Sequence, residues 1–277
     1  MTDFFTQTVD ELIVAGVSSS RLEARMIFSH ILQQPHSTID YQCDLSIEQQ
    51  TQLAEILQRR RKHEPLDKIF GYRDFYKNTF IVSDQVLSPR PDSEILVEEA
   101  IKIAKSTNAE TILELGVGSG CLILSVLAEC PDMIGFGIDK SPAAIDIARK
   151  NAAKLNLEKR ITLQNGDYFV PTLPDKKFSL IISNPPYIAS KEIESLDLEV
   201  KSFDPAIALD GGTDGLEHYR QIASVIDKCL SPDGYILLEI GVGQADAVKN
   251  IFSAKGFTLN KIVCDLAGIK RCIIFKK

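Results

Sequence analysis

The feature that most constrains how this chain can fold is a regular alternation of short apolar segments and helix-like segments from Thr111 onward. Alternation of this kind predicts an α/β domain with a mostly parallel sheet and helices on both faces. Only Cys264 to Lys270 separate the last two apolar segments, too few residues for a crossover helix, so we expect the last strand to run antiparallel. The seven predicted strands cover residues 111–115, 134–138, 161–164, 178–183, 235–240, 257–263 and 271–275.

Before the sheet, the sequence predicts a small helical domain over residues 1–68. Apolar residues return there at helical spacing, as in Val9, Leu12 and Ile13. Pro65 is expected to end the last of these helices, because proline cannot donate the hydrogen bond that continues a helix.

A short linker is expected between the helical domain and the sheet. Residues 69–85 carry aromatic and β-branched side chains around Asp74 to Asn78, a pattern typical of a β-hairpin. The main domain then covers residues 86–277. Its first helix is expected to begin near Ser93, because two prolines stiffen the approach and Asp92 or Ser93 can cap the first turn.

Composition excludes several classes of protein. A net charge of −7 disfavours non-specific binding to nucleic acid, which depends on lysine and arginine neutralising phosphates. Six cysteines without a C-x-x-C pair and four scattered histidines argue against a metal site or a disulfide framework. The longest apolar runs are strand-sized, far below the roughly 20 residues of a membrane helix, and the N-terminus lacks a signal-peptide pattern. We therefore expect no membrane span and a cytoplasmic location.

A glycine-rich turn after the first predicted strand is a candidate cofactor site. Glycines at a strand-to-helix turn let the backbone approach a ligand closely, although a purely structural turn would use the same residues. Cys121 and Leu122 stand where the dinucleotide pattern G-x-G-x-x-G places its last glycine, so a ligand without a pyrophosphate is favoured. The candidate residues of this turn are Glu114, Gly116, Val117, Gly118, Ser119 and Gly120.

Acidic residues follow the next two predicted strands, at the edge of the sheet where ligands of open α/β folds bind. Asp139 ends the second strand, and its carboxylate can accept hydrogen bonds from ribose hydroxyls. Asp167 follows the third strand and can accept from an adenine amino group, while Tyr168 can pack on the ring. Asn-Gly-Asp is also ordinary turn chemistry, so Asp167 and Tyr168 depend on the neighbouring motifs.

The most informative stretch is Asn184-Pro185-Pro186-Tyr187, directly after the fourth predicted strand. The prolines fix the backbone and donate no hydrogen bonds, which leaves carbonyl oxygens to face a substrate NH₂ group. An amide nitrogen is a poor nucleophile, and the Asn184 side-chain oxygen and the Pro185 carbonyl can orient it and support its developing positive charge. Tyr187 can stack on the planar group. At the end of a ligand-facing strand this tetrapeptide favours a catalytic role over a proline-rich turn.

Three further features of the sequence can each be interpreted in two ways. The basic run Arg59-Arg60-Arg61-Lys62 can meet a partner protein or RNA, or can simply complement the end of a helix. Arg90, between two prolines, can act near the ligand or form a structural salt bridge. The segment from Gly211 to Gly215 can cover a bound substrate or be a flexible loop.

At this point the chain resembles the PrmC/HemK family of protein-(glutamine-N5) methyltransferases, which act on peptide chain release factors. The resemblance runs from about the first helices to the C-terminal end and depends on five segments. Those segments are FGYRDFY (70–76), LSPRPDSE (87–94), ELGVGSGC (114–121), NPPY (184–187) and DPAIALDGGTDGLEHYR (204–220).

The resemblance implies a class I S-adenosylmethionine-dependent methyltransferase fold, Rossmann-like with a seven-stranded mostly parallel sheet, plus the N-terminal helical domain. It implies S-adenosylmethionine contacts along Gly116 to Gly120 and at Asp139, Asp167, Tyr168 and Asn184. Asn184 to Tyr187 would hold the glutamine of a Gly-Gly-Gln motif, and the helical domain would grip the release factor. A monomer is expected, acting on the release factor either alone or in the context of the ribosome.

Other acceptors fit the same tetrapeptide. A DNA adenine-N6 methyltransferase would hold the exocyclic amine of a flipped base with the same groups. The acidic charge, the lack of an obvious target-recognition domain and the family-specific segments disfavour it. An RNA base or a ribosomal protein remains an open alternative, whereas a non-catalytic role is disfavoured because the tetrapeptide is intact.

Overall fold

The computed structural model describes residues 3–167 and 173–277, and its backbone divides into two compact units. The smaller unit runs to Gly71 and also includes Asp197–Phe203. The larger unit contains Tyr72–Leu196 and Asp204–Lys277. This division differs from the predicted boundary after residue 68.

The predicted linker is a hairpin of strands β1 (Tyr72–Phe75) and β2 (Asn78–Ile81), paired antiparallel. It belongs to the larger unit, because the buried rings of Phe75 and Phe80 pack into that unit's core. A segment of mixed aromatic and polar residues gives no local sign of which core its rings will enter. The sequence therefore indicated the hairpin but not its membership.

The smaller unit is helical, with one core that includes Leu12, Ile27 and Phe28. Its first helix begins after Asp3, whose side chain accepts a hydrogen bond from the Thr6 amide. The expectation for Pro65 was wrong: the third helix already ends at Arg60, and Pro65 directly precedes a further short helix, a position where its missing N–H costs nothing. The helices are α1 (Phe4–Val14), α2 (Ser20–Leu32), α3 (Ile47–Arg60), α4 (Leu66–Phe70) and α8 (Leu198–Phe203).

The basic run at the end of α3 forms ion pairs inside this unit. Arg59 pairs with Glu64 at 2.5 Å and Arg61 with Glu11 at 2.6 Å. Arg60 is buried, and its guanidinium binds Glu23 at 2.7 Å and Glu199 of α8 at 2.6 Å. These contacts favour a structural role for the three arginines over an open basic patch.

We expect Arg60→Ala to lower the free energy of unfolding by about 2–3 kcal/mol, because two carboxylates lose a charged hydrogen-bond donor. Arg61→Ala is the matched control, since its pair is exposed and should contribute at most about 1 kcal/mol. The measurement is denaturant unfolding of both variants followed by circular dichroism. Equal destabilisation by the two substitutions would contradict the structural role of Arg60.

The larger unit is built on a seven-stranded sheet in the order β5-β4-β3-β6-β7-β9-β8. The first five strands in that order are parallel to one another, and β9 pairs antiparallel with both β7 and β8. The mostly parallel sheet and its antiparallel last strand are confirmed. The strands are β3 (Thr111–Leu115), β4 (Ile134–Asp139), β5 (Ile161–Asn165), β6 (Phe178–Ser183), β7 (Leu230–Glu239), β8 (Thr258–Cys264) and β9 (Lys270–Lys276).

Helices cover both faces of the sheet, because neighbouring residues of its central strands enter different cores. Ile112 of β3 lies in one core with residues of α5, α6 and α7, whereas Leu113 lies in a second core with residues of α9 and α10. These helices are α5 (Glu94–Thr107), α6 (Cys121–Glu129), α7 (Pro142–Lys154), α9 (Glu217–Val225) and α10 (Ala245–Ser253). Within residues 3–167 and 173–277, none of the helices has the length and apolar character needed to cross a membrane.

Candidate active site

A cavity of about 420 Å³ lies within the larger unit, at the carboxyl edge of the sheet. Strands β3, β4, β5 and β6 are parallel, so the turns that follow them meet at this edge. The volume falls in the range of small-molecule sites, roughly 300–1,000 Å³. Predicted site residues that line it are Glu114, Gly116, Val117, Gly118, Ser119, Asp139, Asp167, Asn184 and Pro186.

The remaining predicted site residues lie elsewhere. Gly120 closes the turn, donating its N–H to the Val117 carbonyl at 2.8 Å and preceding α6 with a positive φ. Pro185 is buried beside the cavity-lining Asn184. Tyr187 packs against the second core. Tyr168 lies outside the described residues.

The glycine turn is tied to the neighbouring strand. Gly118 adopts a φ of 54°, a left-handed conformation that favours glycine, and its N–H donates to Asp139 Oδ2 at 2.8 Å. Glu114 is buried at the end of β3, and its Oε2 accepts from the Ile123 amide at 3.1 Å. Burial raises the pKa of Glu114 well above its ordinary value. The turn and the first residues of α6 are therefore held by two carboxyl groups.

Asp139 is fixed by backbone donors on both oxygens, because Ser141 N–H also donates to its Oδ1 at 2.8 Å. Each carboxylate oxygen has a second lone pair that can accept a ligand hydroxyl. Burial raises the pKa of Asp139, while the hydrogen bonds from Gly118 and Ser141 oppose that shift. The carboxylate is thus held in one orientation toward the cavity it lines.

Asp167 also lines the cavity and pairs with Lys140 at 3.1 Å. Among the described residues, the cavity is lined by four carboxyl groups, those of Glu114, Asp139, Asp167 and Asp210. S-adenosylmethionine carries an amino group, two ribose hydroxyls, an adenine amino group and a positive sulfonium, all of which suit acceptors and negative charge. The acceptor groups that line the cavity fit that cofactor.

The tetrapeptide after β6 is held by side chains from distant parts of the sequence. Ser183 donates from its hydroxyl to the Leu115 carbonyl at 2.7 Å, which fixes the end of β6 against β3. Asn184 donates from Nδ2 to Ser93 Oγ at 3.3 Å. Ser93 in turn donates to Glu239 Oε2 at 2.5 Å. Asp92 or Ser93 was predicted to cap α5. Ser93 stands at the N-cap position, but its hydroxyl is used in this contact and makes no helix-capping bond.

Tyr187 is anchored by two further residues. Its hydroxyl donates to Glu239 Oε1 at 3.3 Å, and its carbonyl accepts from Gln244 Nε2 at 2.9 Å. Burial raises the pKa of the Tyr187 hydroxyl, and the nearby Glu239 carboxyl raises it further. Sequence reasoning missed Glu239 and Gln244. The position of Glu239 could have indicated it as a site residue, because Glu239 ends β7 at the same edge of the sheet.

The segment from Gly211 to Gly215 packs on the chain that follows the tetrapeptide. Gly211 N–H donates to the Ile188 carbonyl at 2.8 Å, and Gln244 Nε2 reaches the Gly215 carbonyl at 3.2 Å. A side chain on Gly211 would meet the Tyr187 backbone at 2.8 Å. These contacts favour an ordered segment over a flexible loop.

Arg90 combines the two roles that the sequence left open. It lines the cavity, and its Nη2 binds Asp204 Oδ2 at 2.5 Å. Asp204 is buried and is followed directly by residues 205–208, which also line the cavity. Arg90 therefore links its own segment of the cavity lining to the segment that follows Asp204.

Comparison with known proteins gives consistent results. The family model "PrmC N-terminal domain" matches residues 3–71, and "Methyltransferase small domain" matches residues 91–200. A "Release factor glutamine methyltransferase" of Caulobacter vibrioides is 39% identical over 98% of this chain and 94% of its own length. One of Geobacter sulfurreducens is 37% identical over 93% of this chain and 90% of its own length. A "Bifunctional methyltransferase" of Rickettsia felis is 38% identical over 96% of this chain, which spans 56% of that relative.

Solved structures show the same fold at low identity. The catalytic domain of hMettl16, solved with an RNA hairpin, has a TM-score of 0.56 at 14% identity, covering 83% of this chain and 82% of its own. A ribosomal protein L11 methylase from Lactobacillus delbrueckii subsp. bulgaricus has a TM-score of 0.50 at 18% identity, covering 74% of this chain and 89% of its own. At these identities the likeness concerns the fold alone.

Proposed function

The chain belongs to the family of release factor glutamine methyltransferases, and from that premise we propose how its site works and on what it acts. It transfers a methyl group from S-adenosylmethionine to the side-chain amide nitrogen (N5) of the glutamine in the Gly-Gly-Gln motif of peptide chain release factors. The other product is S-adenosylhomocysteine.

The observation that carries this proposal is the orientation of the Asn184 side chain. Its Nδ2 is used by Ser93, which leaves Oδ1 as the atom that can accept from a substrate in the cavity. A primary amide needs acceptors at its NH₂ group, and a side-chain oxygen beside the Pro185 carbonyl supplies two. The site is therefore suited to a planar NH₂ group.

The cofactor is held by the carboxyl edge of β3 and β4 in this proposal. Asp139 accepts from the ribose hydroxyls, Glu114 and the turn from Gly116 to Ser119 contact the amino-acid part, and Asp167 and Tyr168 contact the adenine. When bound, S-adenosylmethionine supplies an activated methyl group on a positive sulfonium. The Asp139 carboxylate, which lines the same cavity, favours that positive charge.

The chain's own contribution to the reaction is orientation and charge stabilisation. Asn184 Oδ1 and the Pro185 carbonyl each accept one N–H of the glutamine amide, which turns the nitrogen lone pair toward the donor. The same two oxygens stabilise the positive charge that grows on the nitrogen during transfer. Pro186 lines the cavity, and Tyr187 packs beside the substrate amide in this proposal.

Recognition of the release factor is assigned to the helical unit. Its support is the match of residues 3–71 to a family-specific N-terminal domain, together with exposed apolar side chains on α1 and α2. Those side chains are Ile13, Val14, Leu22 and Met26. We propose that the protein acts as a monomer in the cytoplasm, where translation termination takes place.

The acceptor is tested by incubating the protein with methyl-labelled S-adenosylmethionine and a purified release factor. Label should enter the wild-type release factor and not a variant in which the Gly-Gly-Gln glutamine is replaced by glutamate, which has the same shape without the NH₂ group. An adenine-containing DNA duplex serves as a parallel acceptor and should stay unlabelled. Label in the glutamate variant or in the DNA would overturn the assignment.

A further inference from the structure

We propose that Ser93 and Glu239 are positioning residues that set the orientation of the Asn184 amide through a directed chain of hydrogen bonds. The proposal rests on the function assigned to Asn184 above and extends it to the residues that hold the Asn184 side chain in place. Neither side chain needs to touch the substrate, because both act through Asn184.

The series consists of two hydrogen bonds, and two of its three side chains are buried. Asn184 Nδ2 donates to Ser93 Oγ at 3.3 Å, and Ser93 Oγ donates to Glu239 Oε2 at 2.5 Å. Ser93 and Glu239 are both 3% exposed. The three residues lie far apart in the sequence: Ser93 precedes α5, Asn184 follows β6 and Glu239 ends β7. Only the tertiary fold brings them together.

The direction of the chain follows from the chemistry of its end. An ionised carboxylate can only accept, so the Ser93 hydroxyl must give its single hydrogen to Glu239. The serine oxygen is then an acceptor toward Asn184, and only the NH₂ side of that amide can satisfy it. A flipped Asn184 would place its oxygen against the serine oxygen. The carboxylate thereby selects the rotamer in which Oδ1 remains for the substrate.

The surroundings hold Glu239 in place from several sides. Its Oε1 accepts from the Tyr187 hydroxyl at 3.3 Å, and its carbonyl accepts from the buried Tyr219 hydroxyl at 2.9 Å. Arg271 on β9 lies near enough to favour the ionised form, while Asp92 opposes it. Within the part of the chain that the structure describes, the thiols of Cys121 and Cys272 also lie near enough for the charge of Glu239 to raise their pKa.

Protonation of Glu239 would weaken its selection of the Asn184 rotamer. Burial raises the pKa of Glu239 to about 7, against the hydrogen bonds from Ser93 and Tyr187 and the charge of Arg271. Above that pH the carboxylate only accepts and the chain has one direction. Below it the protonated carboxyl can donate to Ser93, so the serine hydrogen can turn toward Asn184 and tolerate the flipped amide. The rate constant kcat should therefore fall as the pH falls through about 7.

The first test measures orientation without any acceptor. In the full-length protein, isotope-labelled for nuclear magnetic resonance, the Glu239 carboxyl carbon and the Asn184 side-chain NH₂ signals should titrate with the same midpoint. Ser93→Ala should leave Glu239 titrating while the Asn184 signals stop following it. Asn184 signals that ignore the Glu239 titration in the wild type, or that follow it equally in Ser93→Ala, would overturn the proposal. This result stands whether or not release factors are the substrate.

The second test is kinetic. Ser93→Ala should lower kcat about 10- to 100-fold, because the amide is no longer held in its productive rotamer, with the KM for S-adenosylmethionine within about 2-fold of wild type. Glu239→Gln should remove the fall in kcat near pH 7, because the amide cannot ionise. Ser125→Ala is the matched control, since Ser125 is a fully buried serine on α6 that takes no part in the hydrogen bonds between Asn184, Ser93 and Glu239. Thermal unfolding of each variant is measured to check that the variant is folded. An unchanged kcat in Ser93→Ala, or an unchanged pH profile in Glu239→Gln, would contradict the positioning role.

Discussion

Replacing Asn184 with alanine is expected to lower kcat by about 1,000-fold or more, with a change of only a few-fold in the dissociation constant of S-adenosylmethionine. The substitution removes the Oδ1 acceptor that orients the substrate amide and supports its developing charge. Most of the cofactor contacts proposed here come from other residues, above all Asp139 and the turn from Gly116 to Ser119. The measurement is single-turnover transfer to a release factor, with cofactor binding followed by calorimetry.

A matched control is available on the same sheet. Asn260 is an exposed asparagine on the edge strand β8, and Asn260→Ala should retain wild-type turnover. Asn184→Asp separates two contributions, because it keeps an acceptor oxygen but loses the donor that binds Ser93. Full activity in Asn184→Ala would contradict the proposed mechanism, whatever the identity of the acceptor.

Replacing Asp139 with alanine is expected to act on cofactor binding and not on the chemical step. The substitution removes up to two charged hydrogen bonds to the ribose, each worth about 1.5–3 kcal/mol, so the dissociation constant should rise about 100-fold or more. It also leaves the Gly118 and Ser141 amides without their acceptor, which loosens the turn that shapes the cavity. At saturating cofactor, kcat should stay within about 5-fold of wild type.

Titration calorimetry with S-adenosylmethionine measures this effect directly. Asp146→Ala is the control, because Asp146 is exposed on the following helix α7 and pairs only with the neighbouring Arg149 among the contacts described for it. Its dissociation constant should equal that of the wild type. An equally unchanged value for Asp139→Ala would show that Asp139 does not hold the ribose.

Local patterns in the sequence were sufficient to predict the sheet and the side of the cavity that is proposed to bind the cofactor. The glycine turn and Asp139 follow consecutive parallel strands, so the topology alone brings them to one edge. The short connection before the last strand likewise required an antiparallel pairing. In each case a rule that operates over a few residues decided the structure.

Contacts between distant segments could not be predicted from such local rules. Asp92 or Ser93 was expected to cap the helix, but a buried carboxyl group 146 positions from Ser93 offers the serine hydroxyl a stronger, charge-assisted partner. Arg60 was one of four basic residues in a run, yet it alone is buried by partners on α2 and α8. Tertiary burial selected these residues, and no local pattern distinguishes them from their neighbours.

The hairpin and the helical unit illustrate a second limit. Residues 72–81 have the composition of a hairpin, and a hairpin forms, but only its packing shows that its rings enter the core of the larger unit. The short helix α8 follows the tetrapeptide Asn184–Tyr187 in the sequence and yet belongs to the helical unit. Domain membership depends on where apolar faces are buried, which sequence order does not report.

The measurement that tests the central claim most directly is mass spectrometry of a release factor incubated with this protein and S-adenosylmethionine. Peptide mapping should find one added methyl group on the side-chain nitrogen of the Gly-Gly-Gln glutamine, and none after incubation with the Asn184→Ala variant. A release factor that stays unmodified, while an adenine in a parallel DNA substrate gains the methyl group, would contradict the claim and reassign the same Asn184 chemistry to a nucleic acid.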